Sequence, residues 1–311
     1  MEKTTIDLQR LNLIYDRFQI GSSSDVLTTS IEGLGTELNN RYLAIRNSQS
    51  LRQPIKDYIT KIHALSQAIN YMSKRFTDLL IRQQEINWMK QELAYETSPD
   101  VFAQASDPKA ALWRSFMALA IKDFHIDMSS LMDSLAPVII QAEGKLKSKD
   151  QSSLPGWPDI QNGTKRSYRT NLSDELQAVI DTADTWWVSI KKVRDLLTHR
   201  DHDKIIFGNS EDGLLFQVYD PKRRPQILLP MVIYRKSKNV VDFDLYSAFL
   251  FAQVILLLDD LGKIIATKMN ISQDITSQNR LRMVDKNIAK SINNFVQVVV
   301  QQTTKSTRRS T

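Results

Sequence analysis

The 311-residue chain contains no cysteine, which removes disulfides and cysteine-ligated metal centres from consideration. Its first twenty residues lack a charged segment followed by an apolar one, so no secretory signal is read there and the cytoplasm is the expected compartment. The longest apolar run, Ala248 to Leu258 broken by Gln253, falls well short of the roughly 20 residues that span a bilayer. It predicts a buried core helix, and no membrane partner is expected. Internal repeats, glycine-rich phosphate loops and Walker-type sequences are missing as well.

What remains is 42% apolar and 24% charged, the balance of a folded soluble protein long enough for one large domain or two ordinary ones. A net charge of +6 favours an anionic partner, although Lys305, Arg308 and Arg309 of the tail supply part of the excess. Charge therefore permits RNA without demanding it.

Apolar spacing predicts a mainly α fold: a helical bundle with a small antiparallel β insertion at about 204–235 and a long N-terminal heptad-patterned helix. The heptad seam runs Ile55, Tyr58, Ile62, Leu65, Ile69, Met72, Phe76, Leu79, Ile86 and Leu93, with Gln83 and Lys90 as polar members; such a helix needs a partner along its length, in the same chain or another. Thr5 to Ile20 reads as a short amphipathic helix, and Gly21 to Asp25 as a break with a helix cap. Pro108 suits a first helical position, and the helix after it carries Trp113, Met117, Ala120, Phe124, Met128, Leu131 and Leu135 on one face, with a kink expected at Pro137. Residues 145–170 are rich in turn formers and read as a long loop. A further helix begins near Asn171 or Ser173, with Asp174 and Glu175 in its first turn. Strand-like runs follow at Ile205 to Phe207, Leu214 to Tyr219 and Ile227 to Tyr234. Asp242 caps a helix reaching about Met269, with Val241 and Tyr246 spaced as a staple. The expected divisions are an N-terminal helical region (1–97), a helical bundle with the β insertion (108–269), a C-terminal helix (279–301) and a disordered tail (302–311).

Chemistry concentrates at the end of the helix that begins near Ser173, in Arg194-Asp195-Leu196-Leu197-Thr198-His199. RNA cleavage without metal requires a base for the 2′-hydroxyl proton, an acid for the leaving oxygen and a cation at phosphorus. Histidine titrates near neutrality and suits the proton transfers, while arginine is permanently charged and its planar fork matches two phosphoryl oxygens. Asp195 precedes His199 by four residues and shares its helical face, where it can orient the imidazole. Arg194 and His199 lie about 140° apart around an ideal helix, so either the helix end unwinds or the site is completed from elsewhere. The plain alternative is an ordinary helix end whose basic groups sit near the last carbonyls.

Arg194, polar Asp195 and His199, set in a helical context, resemble the R-x-x-x-x-H motif of the HEPN superfamily, over roughly Pro108 to Met269. The resemblance implies an endoribonuclease that uses no metal or other cofactor, with Arg194, Asp195 and His199 catalytic, and a homodimer that brings two such segments to one cleft. Toxin and phage-defence roles are common among such proteins, with an antitoxin or other regulatory partner. HEPN-like domains also serve as non-catalytic binding modules, so an interaction or regulatory protein assembled through helices is the rival reading.

Lys222, Arg223 and Arg224 could hold an RNA backbone, with Arg200 and His202 beside the motif; such runs are also ordinary solvated turns. His199, Asp201, His202 and Asp203 present nitrogen and oxygen ligands suited to zinc or manganese, but the helix is ending there and a solvated terminus of mixed charge is simpler. Adjacent Trp186 and Trp187 point in different directions and read as core rather than as base-stacking platforms. His63 and His125 read as structural or surface residues.

Overall fold

The computed structural model describes residues 26–27, 29–46, 53–96, 108–143, 172–199, 206–209, 213–217, 233, 240–272, 282–283 and 287–297. Among these, in chain order, are β1 (Val26–Leu27), α1 (Ser30–Arg46), α2 (Gln53–Glu96), α3 (Pro108–Glu143), α4 (Asp174–His199), β2 (Ile206–Asn209), β3 (Gly213–Gln217), β4 (Val240–Asp242), α5 (Phe243–Lys268) and β5 (Arg282–Met283), followed by α6 (287–297). The fold is mainly α with small antiparallel sheets, as the apolar spacing predicts. The stretches expected at 5–20, 145–170 and 302–311 lie outside the described residues.

The heptad seam of α2 is buried from Ile62 through Ile86, whereas Ile55 and Tyr58 at its start are exposed. Its partners are helices of the same chain: α2 packs along α3 on one side and α1 on the other. Each fully buried Leu, Ile, Met or Phe of the seam contributes about 1.5–3 kcal/mol by leaving water. Gln83, the polar seam member, is itself buried and donates to Asn87 Oδ1 at 3.2 Å.

Helix α1 begins with Thr29 and Glu32, the latter fully buried. Thr29 Oγ1 donates to Glu32 Oε2 at 2.8 Å and Ser73 of α2 donates to Glu32 Oε1. A second carboxylate, Asp259 of α5, accepts from Ser30 N at 2.9 Å, satisfying a first-turn N–H that a buried helix start would otherwise leave without a partner. This contact requires the helices to touch, and Gly262 permits it: a Cβ there would lie 2.3 Å from Ile31 N. Gly35 similarly admits Ile69, whose Cγ2 would be 2.6 Å from an added Cβ.

Helix α3 buries the face expected of it from Met117 to Leu135 and continues through Pro137. Phe124 packs edge-on against Phe243 and Phe251 of α5, with ring centroids 5.7 and 6.0 Å apart. Asp242 caps α5 as expected, accepting from Asp244 N at 2.9 Å and Leu245 N at 3.1 Å. The helix runs to a cap at Met269. One contiguous apolar core includes side chains from α1, α2, α3, α4, α5 and α6. It draws on helices from both before and after residues 97–107, which lie outside the described residues.

The β insertion differs in detail from the expected meander. Strands β2, β3 and β4 form an antiparallel sheet in that order, with Ile206 opposite Phe216 and Phe216 opposite Val241. The third strand is thus the segment leading straight into α5, and of the run at 227–234 only Ile233, which is buried, lies within the described residues. A second departure is the pairing of β1 with β5, Val26 opposite Met283. Residues 282–283, expected within the C-terminal helix, are extended because they supply backbone partners for β1; among the described residues the helix occupies 287–297. Its Phe295 meets Phe249 edge-on at 5.9 Å.

His125 lies at the centre of the bundle, fully buried. Its Nδ1 is 2.7 Å from the Ile121 carbonyl oxygen and its Nε2 2.8 Å from the Tyr246 hydroxyl. A neutral ring satisfies both: Nδ1–H donates to the carbonyl, and Nε2 accepts from the tyrosine. Burial lowers the pKa to about 4, against a smaller opposing effect of the Ile121 carbonyl. Because the folded value is below that of the unfolded chain, this residue costs nothing above pH 6.5, and stability is lost as pH falls from there toward 4, by up to about 3 kcal/mol. Urea denaturation between pH 7 and 4 should show His125→Phe losing less stability over that interval than wild type. Equal slopes would remove His125 from the acid sensitivity.

Candidate functional site

Helix α4 is amphipathic and docks its apolar side on the core, burying Leu176, Ile180, Ala183, Trp186, Trp187, Ile190, Val193 and Leu197. Its start is held by a junction of three helices. Glu143 at the end of α3 accepts from Ser173 N at 3.3 Å and pairs with Lys268 of α5, which also donates to Ser173 Oγ at 2.6 Å. Desolvation tends to raise the Glu143 pKa, but Lys268 and Ser173 prevail and lower it. Anchored at this end, α4 runs beside α3 and delivers the 194–199 segment at its far end.

Arg194 and Asp195 stand there with side chains 27% and 48% exposed, accessible to a solute but not detached from the protein. Arg194 Nε and Nη2 both donate to Asp195 Oδ1, at 3.0 and 2.6 Å. Asp195 Oδ1 is thus engaged by Arg194; its expected contact with His199 involves a side chain outside the described residues. A guanidinium carries five N–H donors, so the two engaged by Asp195 leave capacity for a phosphoryl oxygen. Thr198 Oγ1 donates to the Arg194 carbonyl at 2.7 Å, occupying one of the last acceptors of the helix.

A carboxylate on the neighbouring helix belongs to this environment. Asp133 of α3 has its pKa raised by desolvation, with Arg194 and Lys191 pulling the other way. Two cations and two carboxylates, Lys191, Arg194, Asp133 and Asp195, thus balance in charge. No spacing in the sequence connects residue 133 to residue 194; the packing of α3 on α4 does.

His199 is the last residue of α4, but its side chain lies outside the described residues, as do Arg200, His202, Lys222, Arg223 and Arg224 and the Asp201 and Asp203 of the candidate metal cluster. Trp186 and Trp187 are both buried, with rings edge-to-face at 6.1 Å. They are core residues, as their adjacency suggests. His63 stacks on Tyr42 at 4.2 Å, joining α2 to α1 in a structural contact. Among the described residues no helix is long and apolar enough to cross a membrane. No family model matches the chain, and no curated protein or solved structure matches it.

Proposed function

We propose that the chain is a HEPN-like endoribonuclease that cleaves RNA without a metal or other cofactor. The observation that carries this reading is the presentation of Arg194 and Asp195, already hydrogen-bonded to each other, at the accessible end of a helix that terminates at His199. In this reading His199 transfers protons, Arg194 stabilises charge on the phosphoryl oxygens, and Asp195 holds the guanidinium fork in register as well as serving the imidazole. Arg200, His202 and the 222–224 cations add phosphate contacts. Two copies of the chain complete the site, since one helix turns Arg194 and His199 apart. A toxin or defence role, restrained by an antitoxin or other regulatory partner, follows from the same resemblance.

A second reading, a non-catalytic regulatory protein, draws on the local charge balance around Arg194 and on the exposed Leu112, Phe116 and Leu119 side chains of α3. The two are separated by incubating single-stranded RNAs with wild type and His199→Ala in EDTA. Cleavage that depends on His199 supports the nuclease. RNA binding or partner binding without His199-dependent cleavage supports the module.

A further inference from the structure

Lys191 stands one turn before Arg194, and the two residues are neighbours on one side of α4, with Cβ atoms about 5–6 Å apart. Both are half-buried. They lie where α4 meets α3, because the exposed Asp133 of α3 comes within electrostatic reach of both. Helix α4 starts beside the end of α3, where Ser173 N binds Glu143, and passes Asp133 with its last turns, so it runs back along α3 toward lower residue numbers. Lys122 lies in that direction. It precedes Asp133 by eleven residues, close to three full turns and about 16 Å, which puts it on the same face of α3. The nearby carboxylates of α3 are committed elsewhere: Asp123 and Asp127 pair with Arg82 of α2 at 3.8 and 3.3 Å, and Glu143 pairs with Lys268.

We propose that a single strand of RNA lies along this line between α3 and α4, with neighbouring phosphates on Arg194 and Lys191 and a further one on Lys122, and that Asp133 limits how tightly it is held. The inference rests on the RNA part of the nuclease reading and names residues outside the 194–199 segment that hold the strand. Lys191 and Arg194 are balanced by Asp133 and Asp195, and Lys122 tips the line toward positive charge. Cations that neutralise phosphates release condensed counterions, which supplies affinity without reading sequence, and cations in single file suit one strand. Asp195 is already engaged by Arg194 and its charge is partly spent. Asp133 makes no such bond to Lys191 or Arg194 among the described contacts and faces the strand as a like charge, which weakens the hold. A loose hold on substrate suits an enzyme that must release cut strands.

The test reads binding, apart from cleavage. A labelled oligouridine is titrated in EDTA against the full chain carrying His199→Ala, and its dissociation constant is followed from about 50 to 200 mM salt. In this background Lys191→Ala and Lys122→Ala should each weaken binding about 3- to 10-fold at the low-salt end and lower the salt slope by about 0.7, the value for one single-strand phosphate. Lys191→Arg should bind as the parent does, because the charge is kept. Asp133→Asn should bind about 3- to 10-fold tighter, a gain that a merely structural residue would not give. None of the three side chains is buried, so helicity should be unchanged. Weaker binding in both alanine variants with tighter binding in Asp133→Asn supports the track even where wild type cuts no RNA, in which case the nuclease reading alone falls. Cleavage that requires His199, together with binding indifferent to Lys122, Lys191 and Asp133, keeps the nuclease and overturns the track. Competition by uridine monophosphate as strong as that of unlabelled oligouridine overturns it too, showing a site for one anion rather than a strand, and so does a failure to bind oligouridine at the low-salt end.

Discussion

Replacing His199 by alanine is expected to slow RNA cleavage about 10²- to 10⁴-fold, the usual contribution of a proton-transferring side chain, with helicity and mass unchanged. The residue is the last of α4, so its loss should not disturb the core that the preceding turns build. Arg194→Ala should be comparably damaging, and Arg194→Lys should restore activity only in part, because a point-like ammonium cannot reproduce the bidentate fork. The Arg194–Asp195 hydrogen bonds add a sharper expectation. If Asp195 chiefly holds the guanidinium, Asp195→Ala in an Arg194→Ala background should cost little more than Arg194→Ala alone, since residues that act as a unit are not additive. Cleavage should survive EDTA, and DNA should remain intact for want of a 2′-hydroxyl. Undiminished cleavage by both His199→Ala and Arg194→Ala, with contaminating nuclease excluded, would show that this segment is not the active site.

Gly262→Ala should destabilise the bundle by about 3 kcal/mol or more, a large loss for one methyl group. The added Cβ would sit 2.3 Å from Ile31 N and 2.5 Å from the Ser30 carbonyl carbon, and both obstacles are backbone atoms that no side-chain rotation can clear. The helices must separate, which costs about 1–3 kcal/mol for overpacking and also stretches the bond from Ser30 N to Asp259, worth about 1.5–3 kcal/mol as a hydrogen bond to a charged group. Asp259→Ala should lose the second of these contributions without the first. Thermal denaturation of Gly262→Ala, Asp259→Ala and the double variant measures the coupling. A Gly262→Ala protein that melts with wild type would mean that α1 does not press on α5 at this point.

Much of the helical framework is legible in the residues alone, for local reasons. Ile62 to Ile86 recur at heptad spacing, and that spacing identifies both the helix and its buried side. Asp242 is a cap because its side chain reaches the N–H groups two and three residues on, a distance within one turn. Helix α1 is less legible: its mean apolar bias is slight, and Thr29 with Glu32 is a capping pattern of only two residues. Strand β5 is hidden for a different reason, since two extended residues acquire meaning only from β1, more than 250 positions away.

The candidate site divides along the same line. Sequence by itself determined that Arg194, Asp195 and His199 fall within the last two turns of one helix, because its apolar spacing identifies the helix that carries them. Only the tertiary structure decided that Asp195 binds Arg194, that Asp133 comes within electrostatic reach of Arg194 and Lys191, and that Trp186 and Trp187 are enclosed. It alone also decided that the α2 seam is covered by α1 and α3 while Leu112, Phe116 and Leu119 are left open. Apolar periodicity records that a face avoids water but not which surface covers it, and that choice is made by helices approaching from distant parts of the chain, at separations set by residues as small as Gly35 and Gly262.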